Sequence, residues 1–449
     1  MNELVTSDRA ELDGLAERAE DIVRRCRALG ADEADVVASI DTGLSVTVRL
    51  GEVETIERTR DRGVAVSVLF GKRKGSASTA DLDPASIERT IEHACAIARH
   101  TEEDTANGLP DADLLARDPP DLDLWHPWDI SPDDAIRLGL AIEDAGRGHD
   151  ARIGNSEGAT VQVGASLTAH ANSLGFCGRE RGTHHSLSCA LIAADADGMQ
   201  RDYWYDTQRS AKDFGDPAAI GRRAAERTLA RLGARTLGTC ECAVLFAPPV
   251  ARGLIGHFLS AVSGGALYRR ASFLLDHAGK PVFPESVTIV ERPHIPRGHG
   301  STAFDSEGVA TRDSDLVRDG VLERYILGSY SARRLGLATT GNAGGVHNIV
   351  VEPTLEADFD AMLRRMGRGL VVTEVMGQGV SLVTGDYSRG AAGFWVENGE
   401  IAYPVEEITI AANLRDMYAG IEAIGSDVDP RSHILTGSIL VDRMTVAGE

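Results

Sequence analysis

The chain has 449 residues, of which 43% are hydrophobic and 25% are charged, and this composition is typical of a folded protein with two or three domains. Its formal net charge of −22 argues against binding to nucleic acid or anionic membranes, because both are themselves negatively charged. No run of 18 apolar residues occurs and the acidic N-terminal segment lacks an apolar signal core, so we expect a cytoplasmic protein without membrane contact.

The first segment is predicted to pair a helix with a β-meander. Residues 9–29 place their apolar side chains on one helical stripe, and Gly30 follows as a terminator. Alternating apolar residues then predict short antiparallel strands across 34–70. Because glycine favours turns, we predict breaks between these strands at Gly43, at Leu50-Gly51, at Gly63 and at GKRKG, residues 71–75.

A second helix is predicted to begin at Asp83 and Pro84, where an N-cap residue precedes a proline in the first turn. The stretch 101–130 that follows is rich in Asp and Pro and shows no period. It predicts a boundary between an N-terminal α+β segment at 1–118 and a second one at 119–233, packed with the first.

The second segment repeats the order of the first. Ser131 and Pro132 predict a helix start, a second meander follows, and Asp216 and Pro217 predict another helix. Helix, meander and helix thus occur twice before residue 234, although the residues themselves do not match.

The third segment, 234–449, is predicted to be mainly antiparallel β-structure, which makes the overall fold class α+β. Asp319-Gly320 and Asn398-Gly399 lie between alternating apolar runs and predict tight hairpins. Thr354 is predicted to cap one helix that interrupts these strands.

A short apolar strand, ECAVLFAPP, leads into a predicted helix that contains RGLIGH, residues 252–257. A zinc peptidase helix needs two histidines on one face and a glutamate as general base. Here His257 is the one histidine, and its helical neighbours are not usual ligands. His347, like the other loop histidines, has no acidic partner at a telling spacing, so we expect no metal site and interpret His257 first as a core or interface histidine.

Glycines recur within apolar, strand-like sequence at 374–414. They indicate either bulged strands or a cleft whose backbone pairs with an extended peptide, and the sequence favours neither. The candidate peptide-contacting residues are Gly377, Gly379, Tyr387 and Arg389.

At these residues the chain resembles the TldD/PmbA family, whose members include the TldD–TldE peptidases. The resemblance extends from about residue 10 to residue 446. Its most specific stretches are DYSRGAAGFWVENGEIAYPVEEITIAANL, TAFDSEGVATRDSDLVRDGVL, TGNAGGVHN and GLIGHFLSAVSGGALYRRASFLLD.

The resemblance implies a cytoplasmic two-chain metallopeptidase that cuts unfolded or extended peptides. In that family the TldD-type chain carries His-Glu-x-x-x-His and a later cysteine as a zinc site, and the TldE-type chain lacks them. Laid on the motif, Arg252 stands at the first histidine, Gly253 at the glutamate and His257 at the second histidine, while the cysteine is replaced near Met376. These are vestigial positions, so no catalytic residue and no cofactor are expected in this chain, and zinc is expected in a TldD-type partner.

Three hypotheses follow, and they leave open whether this chain is itself an enzyme. The first is a non-catalytic TldE-type subunit that forms a heterodimer with a TldD-type chain and binds peptide substrates. The second is an autonomous metallopeptidase with a non-standard site that includes His257. The third is a free-standing homodimer that binds peptides or regulates another protein.

Overall fold

The computed structural model describes residues 8–196 and 198–448, and its first sheet is built from the two helix–meander–helix segments. The helices are α1 (Asp8–Ala28), α2 (Pro84–His100), α3 (Pro132–Arg147) and α4 (Pro217–Ala230). The strands are β1 (Glu33–Arg49), β2 (Glu52–Phe70), β3 (Arg73–Thr79), β4 (Asn155–Asn172), β5 (Cys177–Ala194) and β6 (Met199–Gln208). Their order is β3-β2-β1-β4-β5-β6, so the two meanders meet at β1 and β4 in the middle.

Helix starts follow the capping residues that the sequence provides. The Asp83 carboxylate accepts a hydrogen bond from the Ala85 N–H at 3.0 Å, and the Ser131 hydroxyl accepts one from the Asp134 N–H at 3.1 Å. The apolar stripe of α1 and one face of α2 then pack on alternate residues of β1, β2 and β4 in a shared core.

The turns predicted at Gly43 and Gly63 are wrong, because β1 and β2 are each continuous strands of 17 and 19 residues. β1 pairs with β2 on one side and β4 on the other, so ladder hydrogen bonds hold the backbone extended through Gly43. Glycine is needed there for space, since a Cβ would lie 2.7 Å from the Thr59 hydroxyl oxygen. A Cβ on Gly63 would lie 3.3 Å from the Thr79 carbonyl oxygen.

The tip of the β1–β2 hairpin is held by a buried carboxylate. Glu143 on α3 is 0% exposed and accepts hydrogen bonds from the Leu50 and Gly51 N–H groups, at 2.8 and 2.9 Å. Both carboxylate oxygens therefore bind tip backbone groups, which fixes the end of the hairpin.

The remaining strands form two further sheets. The strands are β7 (Cys240–Phe246), β8 (Ile289–Glu291), β9 (Ser314–Arg318), β10 (Val321–Leu322), β11 (Ile349–Val351), β12 (Gly369–Met376), β13 (Asp386–Glu397), β14 (Glu400–Asn413), β15 (Ile421–Ile424), β16 (Ile434–Leu435) and β17 (Ile439–Ala447). The helices are α5 (Pro248–Ala261), α6 (Gly264–Tyr268), α7 (Ser329–Leu335), α8 (Phe359–Met366) and α9 (Leu414–Ala419). One sheet has the order β10-β9-β8-β11-β16, and the other has the order β14-β13-β12-β7-β17-β15.

Most of these pairings are antiparallel, and the predicted α+β class is confirmed. Two pairs are parallel, β7 with β12 and β11 with β16. An additional pairing of β14 with β17 closes β14-β13-β12-β7-β17 into a ring. The hairpins at Asp319-Gly320 and Asn398-Gly399 are confirmed, and all four residues have the positive φ that their turns require.

The cap predicted at Thr354 is wrong. α8 begins at Phe359, and the Asp358 carboxylate accepts the capping hydrogen bond from the Ala361 N–H at 2.8 Å. The Thr354 hydroxyl instead accepts a hydrogen bond from the Ile424 N–H at 2.8 Å, which ties this segment to β15. Tertiary pairing thus uses the threonine, and the later aspartate caps the helix.

The described chain divides into two compact units. The first contains the chain up to Ile192 with Asp202–Glu226 and Thr302–Thr311, and the second contains the remainder. The boundaries predicted at residues 118 and 233 stay predictions. Within the described ranges, we find no helix with both the length and the apolar character needed to cross a membrane.

Two helical glycines should respond oppositely to alanine. In α4 a Cβ on Gly221 would lie 1.9 Å from the Ile142 carbonyl oxygen, so Gly221→Ala should destabilise the protein by about 1–3 kcal/mol. In α1 nothing lies within 4 Å of a Cβ on Gly14, so Gly14→Ala should stabilise by about 0.5–1 kcal/mol. Urea unfolding followed by circular dichroism measures both, and equal effects of the two changes would contradict this packing.

Candidate functional site

The helix α5 begins directly after β7 and packs one face into the core. Its fully buried positions are Ala251, Leu254, Ile255, Phe258, Leu259 and Ala261. The opposite side is less covered, because Gly253 and Ser260 are exposed and Gly256 and His257 are half-buried. These four positions follow helical spacing, so they form one accessible stripe that contains His257.

A second segment approaches this helix from the sheet. β12 runs parallel to β7 and ends at Met376, whose side chain is 45% exposed. The chain then returns into β13, and the Arg389 Nε donates a hydrogen bond to the Met376 carbonyl at 3.0 Å. The Ser388 N–H donates to the Gly379 carbonyl at 2.7 Å, which holds the returning segment against β13.

His257 lies beside residues of β13. Its ring centroid is 6.0 Å from that of Tyr387, at an interplanar angle of 72°. Burial lowers the pKa of His257 below its ordinary value of 6.5, and the positive charge of Arg389 lowers it further. Burial also raises the pKa of Tyr387 to about 12, so the two rings are neutral at neutral pH.

Arg252 acts on a different part of the second unit. Burial raises the pKa of the Asp429 carboxyl, but the hydrogen bonds and charge of Arg431 together with the charge of Arg252 outweigh it, and the net pKa is lowered. Burial and then Arg252 lower the pKa of His433. Arg389, and not Arg252, is therefore the cation whose charge bears on His257.

The groups around His257 do not fit a hydrolytic zinc ion. Zinc takes thiolate, imidazole and carboxylate ligands, whereas a guanidinium stays protonated and repels a divalent cation. Gly253 offers no carboxylate, although nothing lies within 4 Å of the Cβ that a side chain there would carry. Considering residues 8–196 and 198–448 alone, no group of three or more His, Cys, Asp and Glu side chains could hold a metal ion.

The four peptide-contact candidates occupy unlike environments. Tyr387 is 4% exposed, and a Cβ on Gly379 would lie 2.0 Å from the Ser388 carbonyl oxygen, so this glycine permits a close approach within the chain. Gly377 is exposed with φ +83, and Arg389 is half-buried. Their role in peptide binding stays a prediction.

The sequence interpretation missed a buried polar cluster. Glu291, at 2% exposure, accepts hydrogen bonds from the His347 backbone N–H at 2.8 Å and from the Asn342 side-chain amide at 2.9 Å. Its carboxylate lies 2.9 Å from the His347 Nδ1 and 2.5 Å from an Arg324 guanidinium nitrogen. His347 thus has an acidic partner in the fold, Glu291, which lies 56 residues away in sequence, so the local spacing of acidic residues did not reveal it.

The hydrogen bonds of Asn342 and His347 to Glu291 hold the glycine-rich segment 341–348 in place. Burial raises the pKa of the Glu291 carboxyl, but the hydrogen bond from His347 and the charge of Arg324 outweigh it, and the net pKa is lowered. The carboxylate thus stays ionised and saturated with donors. The only sequence signal for it is an acidic residue at the end of a short apolar strand.

Comparison with known proteins gives consistent similarities along the chain. Residues 34–98, 125–232 and 239–448 match the families described as PmbA/TldA metallopeptidase domain 1, central domain and C-terminal domain. Metalloprotease PmbA of Escherichia coli O157:H7 is 49% identical over 93% of both chains, and a PmbA homolog of Haemophilus influenzae is 47% identical over 92% of both.

Solved structures show the same fold. A putative modulator of DNA gyrase from Bacteroides thetaiotaomicron is 26% identical, with a TM-score of 0.92 over 99% of this chain and 100% of that one. TldE from Thermococcus kodakarensis has a TM-score of 0.84 over 96% of this chain and 99% of that one, and its 20% identity makes it evidence for the fold alone.

Removing the cation beside His257 should raise the pKa of the imidazole. In Arg389→Gln the repulsion disappears while burial remains, so the pKa should rise but stay below 6.5. Histidine NMR titration, assigned through His257→Gln, measures this. Arg443→Gln is the matched control, because Arg443 is 70% exposed and paired elsewhere. An unchanged pKa in Arg389→Gln would contradict the assigned charge effect.

The lowered pKa of His257 also predicts how the free energy of unfolding depends on pH. As the pH falls below about 6.5, His257 is protonated in the unfolded chain before it is protonated in the folded chain. The free energy of unfolding should therefore decrease as the pH decreases in this range. Arg389→Gln should weaken this dependence, which urea titrations between pH 7 and 5 would detect.

Breaking the buried cluster should destabilise the second unit. Glu291→Gln leaves the Arg324 guanidinium in place without its carboxylate, at an expected cost of about 3 kcal/mol. Glu241→Gln removes an exposed ion pair with Arg443 and should change stability by less than about 0.5 kcal/mol. Urea unfolding compares them, and similar small effects would rule out a structural role for Glu291.

Proposed function

Because this chain belongs to the PmbA/TldA metallopeptidase family, we propose that it is a non-catalytic TldE-type subunit of a cytoplasmic two-chain peptidase. A TldD-type chain would hold the zinc and cut the peptide. This chain would complete the complex and help to hold an unfolded or extended peptide.

The surroundings of His257 carry the proposal. A single imidazole with a lowered pKa faces a permanent cation, Arg389, and a buried phenol, Tyr387. Gly253 provides no general base beside them. These groups can bind or orient a neutral or anionic part of a substrate, but they do not supply the ligands and base that zinc hydrolysis requires.

The exposed segment beside this helix supports a role in peptide binding. Met376 and Gly377 are both exposed where β12 ends, and the Arg389 side chain donates a hydrogen bond to the Met376 carbonyl. Arg389 can pair with a carboxylate of an extended peptide. The net charge of −22 favours neutral or cationic peptides over acidic ones.

A second candidate is an autonomous metallopeptidase. It is favoured by the names of the curated relatives, four of which are described as metalloprotease PmbA or its homolog. In this case His257 would have to ligate metal together with side chains that move toward it. A third candidate, a homodimer that binds peptides without catalysis, shares the fold and predicts neither zinc nor cleavage with any partner.

Metal content and peptide cleavage distinguish these candidates. We expect the purified chain to contain less than stoichiometric zinc by mass spectrometry and to leave fluorescein-labelled unfolded casein intact. A TldD-type chain from the same genome should cleave this substrate faster in an equimolar mixture, and a zinc chelator should stop it. One zinc per chain together with cleavage by this chain alone would overturn the proposal, and no effect on the partner would favour the homodimer.

His257→Ala gives a sharper test in the same mixture. In a non-catalytic subunit the change should lower chelator-sensitive cleavage only modestly, because a group that positions the peptide is lost but no metal ligand is. If His257 ligates a catalytic metal, cleavage should fall by more than about a hundredfold, since even the loss of an outer-shell partner costs 10–100-fold. Ser260→Ala, on the same helix stripe, controls for local disturbance.

A further inference from the structure

Two cysteines lie on one face at the start of β7. Cys240 and Cys242 are separated by one residue, and alternate residues of a strand point to the same side of the sheet. Both thiols are free and half-buried, and both pack against the main core of the second unit. The two thiols also share a hydrogen bond, so their sulfur atoms are neighbours.

A third sulfur lies on the same face of the neighbouring strand. Met444 of β17 is the antiparallel ladder partner of Cys242, and directly opposed residues of such a pair share a face. Met444 is 1% exposed and belongs to the core against which the thiols pack. The other face of these strands carries Glu241 and Arg443, which are both exposed and lie 3.9 Å apart. Two thiols and one thioether are therefore grouped on the core-facing side of β7 and β17.

These three sulfurs match a soft monovalent cation. Thiolates and thioethers are ligands that select Cu(I). A structural zinc site instead takes four ligands from cysteine, histidine and carboxylate side chains. Over residues 8–196 and 198–448, no third His, Cys, Asp or Glu side chain joins the two thiols in a possible metal site. The set is thus incomplete for zinc, whereas two thiolates and a thioether suit Cu(I).

The spacing of the thiols favours a bridging ion over a disulfide. Cα atoms two residues apart in a strand are separated by about 6.6 Å. This lies at the upper end of the range for disulfides, whose Cα separation is most often about 5.5–6 Å. Two metal–sulfur bonds of about 2.3 Å, the zinc–thiolate length, allow sulfurs up to about 4.6 Å apart to bind one ion. An ion can therefore join the thiols while β7 stays paired with β17.

The groups beside the thiols favour an anionic complex. Burial raises the pKa of the Cys242 thiol to about 12, and the neighbouring Cys240 contributes to the increase. The Leu370 backbone N–H and the charge of Arg368 act in the opposite direction, because both stabilise the thiolate. The Arg368 guanidinium also lies over the Trp395 ring, 5.6 Å from its centroid, which helps to hold the cation near this face.

The charge balance of binding follows from these groups. Cu(I) would replace one proton on each thiol, so two protons are released and no electron is transferred. Two thiolates with one monovalent cation leave a single net negative charge. The guanidinium of Arg368, which repels a free cation, is attracted to this complex and therefore favours its formation.

This group of sulfurs is separate from the surroundings of His257. The thiols are the first and third residues of β7, whereas α5 follows the other end of the same strand. Because Cys240 and Cys242 are partly exposed and Met444 is buried, an ion would reach the thiols from the surface and meet the thioether on the core side.

From these observations we propose that Cys240 and Cys242 bind one Cu(I) ion as thiolates, and that Met444 contributes its thioether as a third and weaker ligand. The proposal is independent of which chain performs peptide cleavage, because no residue near His257 takes part.

Copper titration tests the site. The purified full-length chain, kept reduced and free of oxygen, should withdraw one Cu(I) per chain from the coloured bicinchoninate complex. Cys240→Ser and Cys242→Ser should each weaken Cu(I) binding by more than about a hundredfold, since even the loss of an outer-shell partner costs 10–100-fold. Met444→Leu should weaken binding less than either serine change. Cys177→Ser alters another half-buried free cysteine and should leave Cu(I) binding at the wild-type level.

X-ray absorption at the copper edge identifies the ligands without relying on a variant. The wild-type complex should show three sulfur neighbours, one of them at a longer distance, and Met444→Leu should lose that one. Failure to withdraw Cu(I), binding that survives both serine changes, or copper held by nitrogen or oxygen would overturn the proposal. Two sulfur neighbours in the wild-type complex would refute the role of Met444, and stoichiometric Zn²⁺ bound by the same cysteines would refute the preference for Cu(I).

Discussion

The parallel ladder between β7 and β12 is the constraint on which the candidate site depends. Gly369 to Val372 pair with Ala243 to Phe246, so both strands end at the same edge of the sheet. α5 continues from one strand end and the Met376 segment from the other, and they therefore begin side by side. The approach leaves no room for a side chain at Gly369, where a Cβ would lie 2.4 Å from the Ala243 carbonyl oxygen.

A buried phenol completes this arrangement. The Tyr418 hydroxyl donates a hydrogen bond to the Leu254 carbonyl at 3.0 Å, which holds α5 from its core side. The same helix then presents His257 to β13, where Arg389 and Tyr387 meet it. Rigid elements thus hold a histidine and a cation together, an arrangement that suits substrate positioning better than metal ligation.

The sheets of the two units differ in how their strands are paired. In the second unit, β14 pairs with β13 along most of its length and with β17 at residues 409–411, so these strands form a ring. In the first unit the sheet is open, and β1 and β4 at its centre are paired on both sides. The first half of β2, residues 52–62, is exposed on both faces, and most of its side chains are charged or polar.

The sequence by itself determined the elements whose signals are local. Caps at Asp83 and Ser131, hairpins at Asp319 and Asn398, the α+β class and the family resemblance depend on neighbouring residues, and the structure agrees with each of these. Only the tertiary structure decided what distant residues do to one another. Gly43 is a close-approach glycine inside a strand, because two neighbouring strands hold it extended.

The same distinction between local sequence signals and tertiary contacts applies to the candidate site. The motif positions at Arg252, Gly253 and His257 are visible in one short stretch of sequence. That the charge of Arg389 bears on His257, while Arg252 acts on Asp429, depends on where the fold places α5 beside β13. Glu291 and His347 meet from 56 residues apart through strand pairing, and no spacing rule encodes such contacts because the fold alone brings them within hydrogen-bond reach.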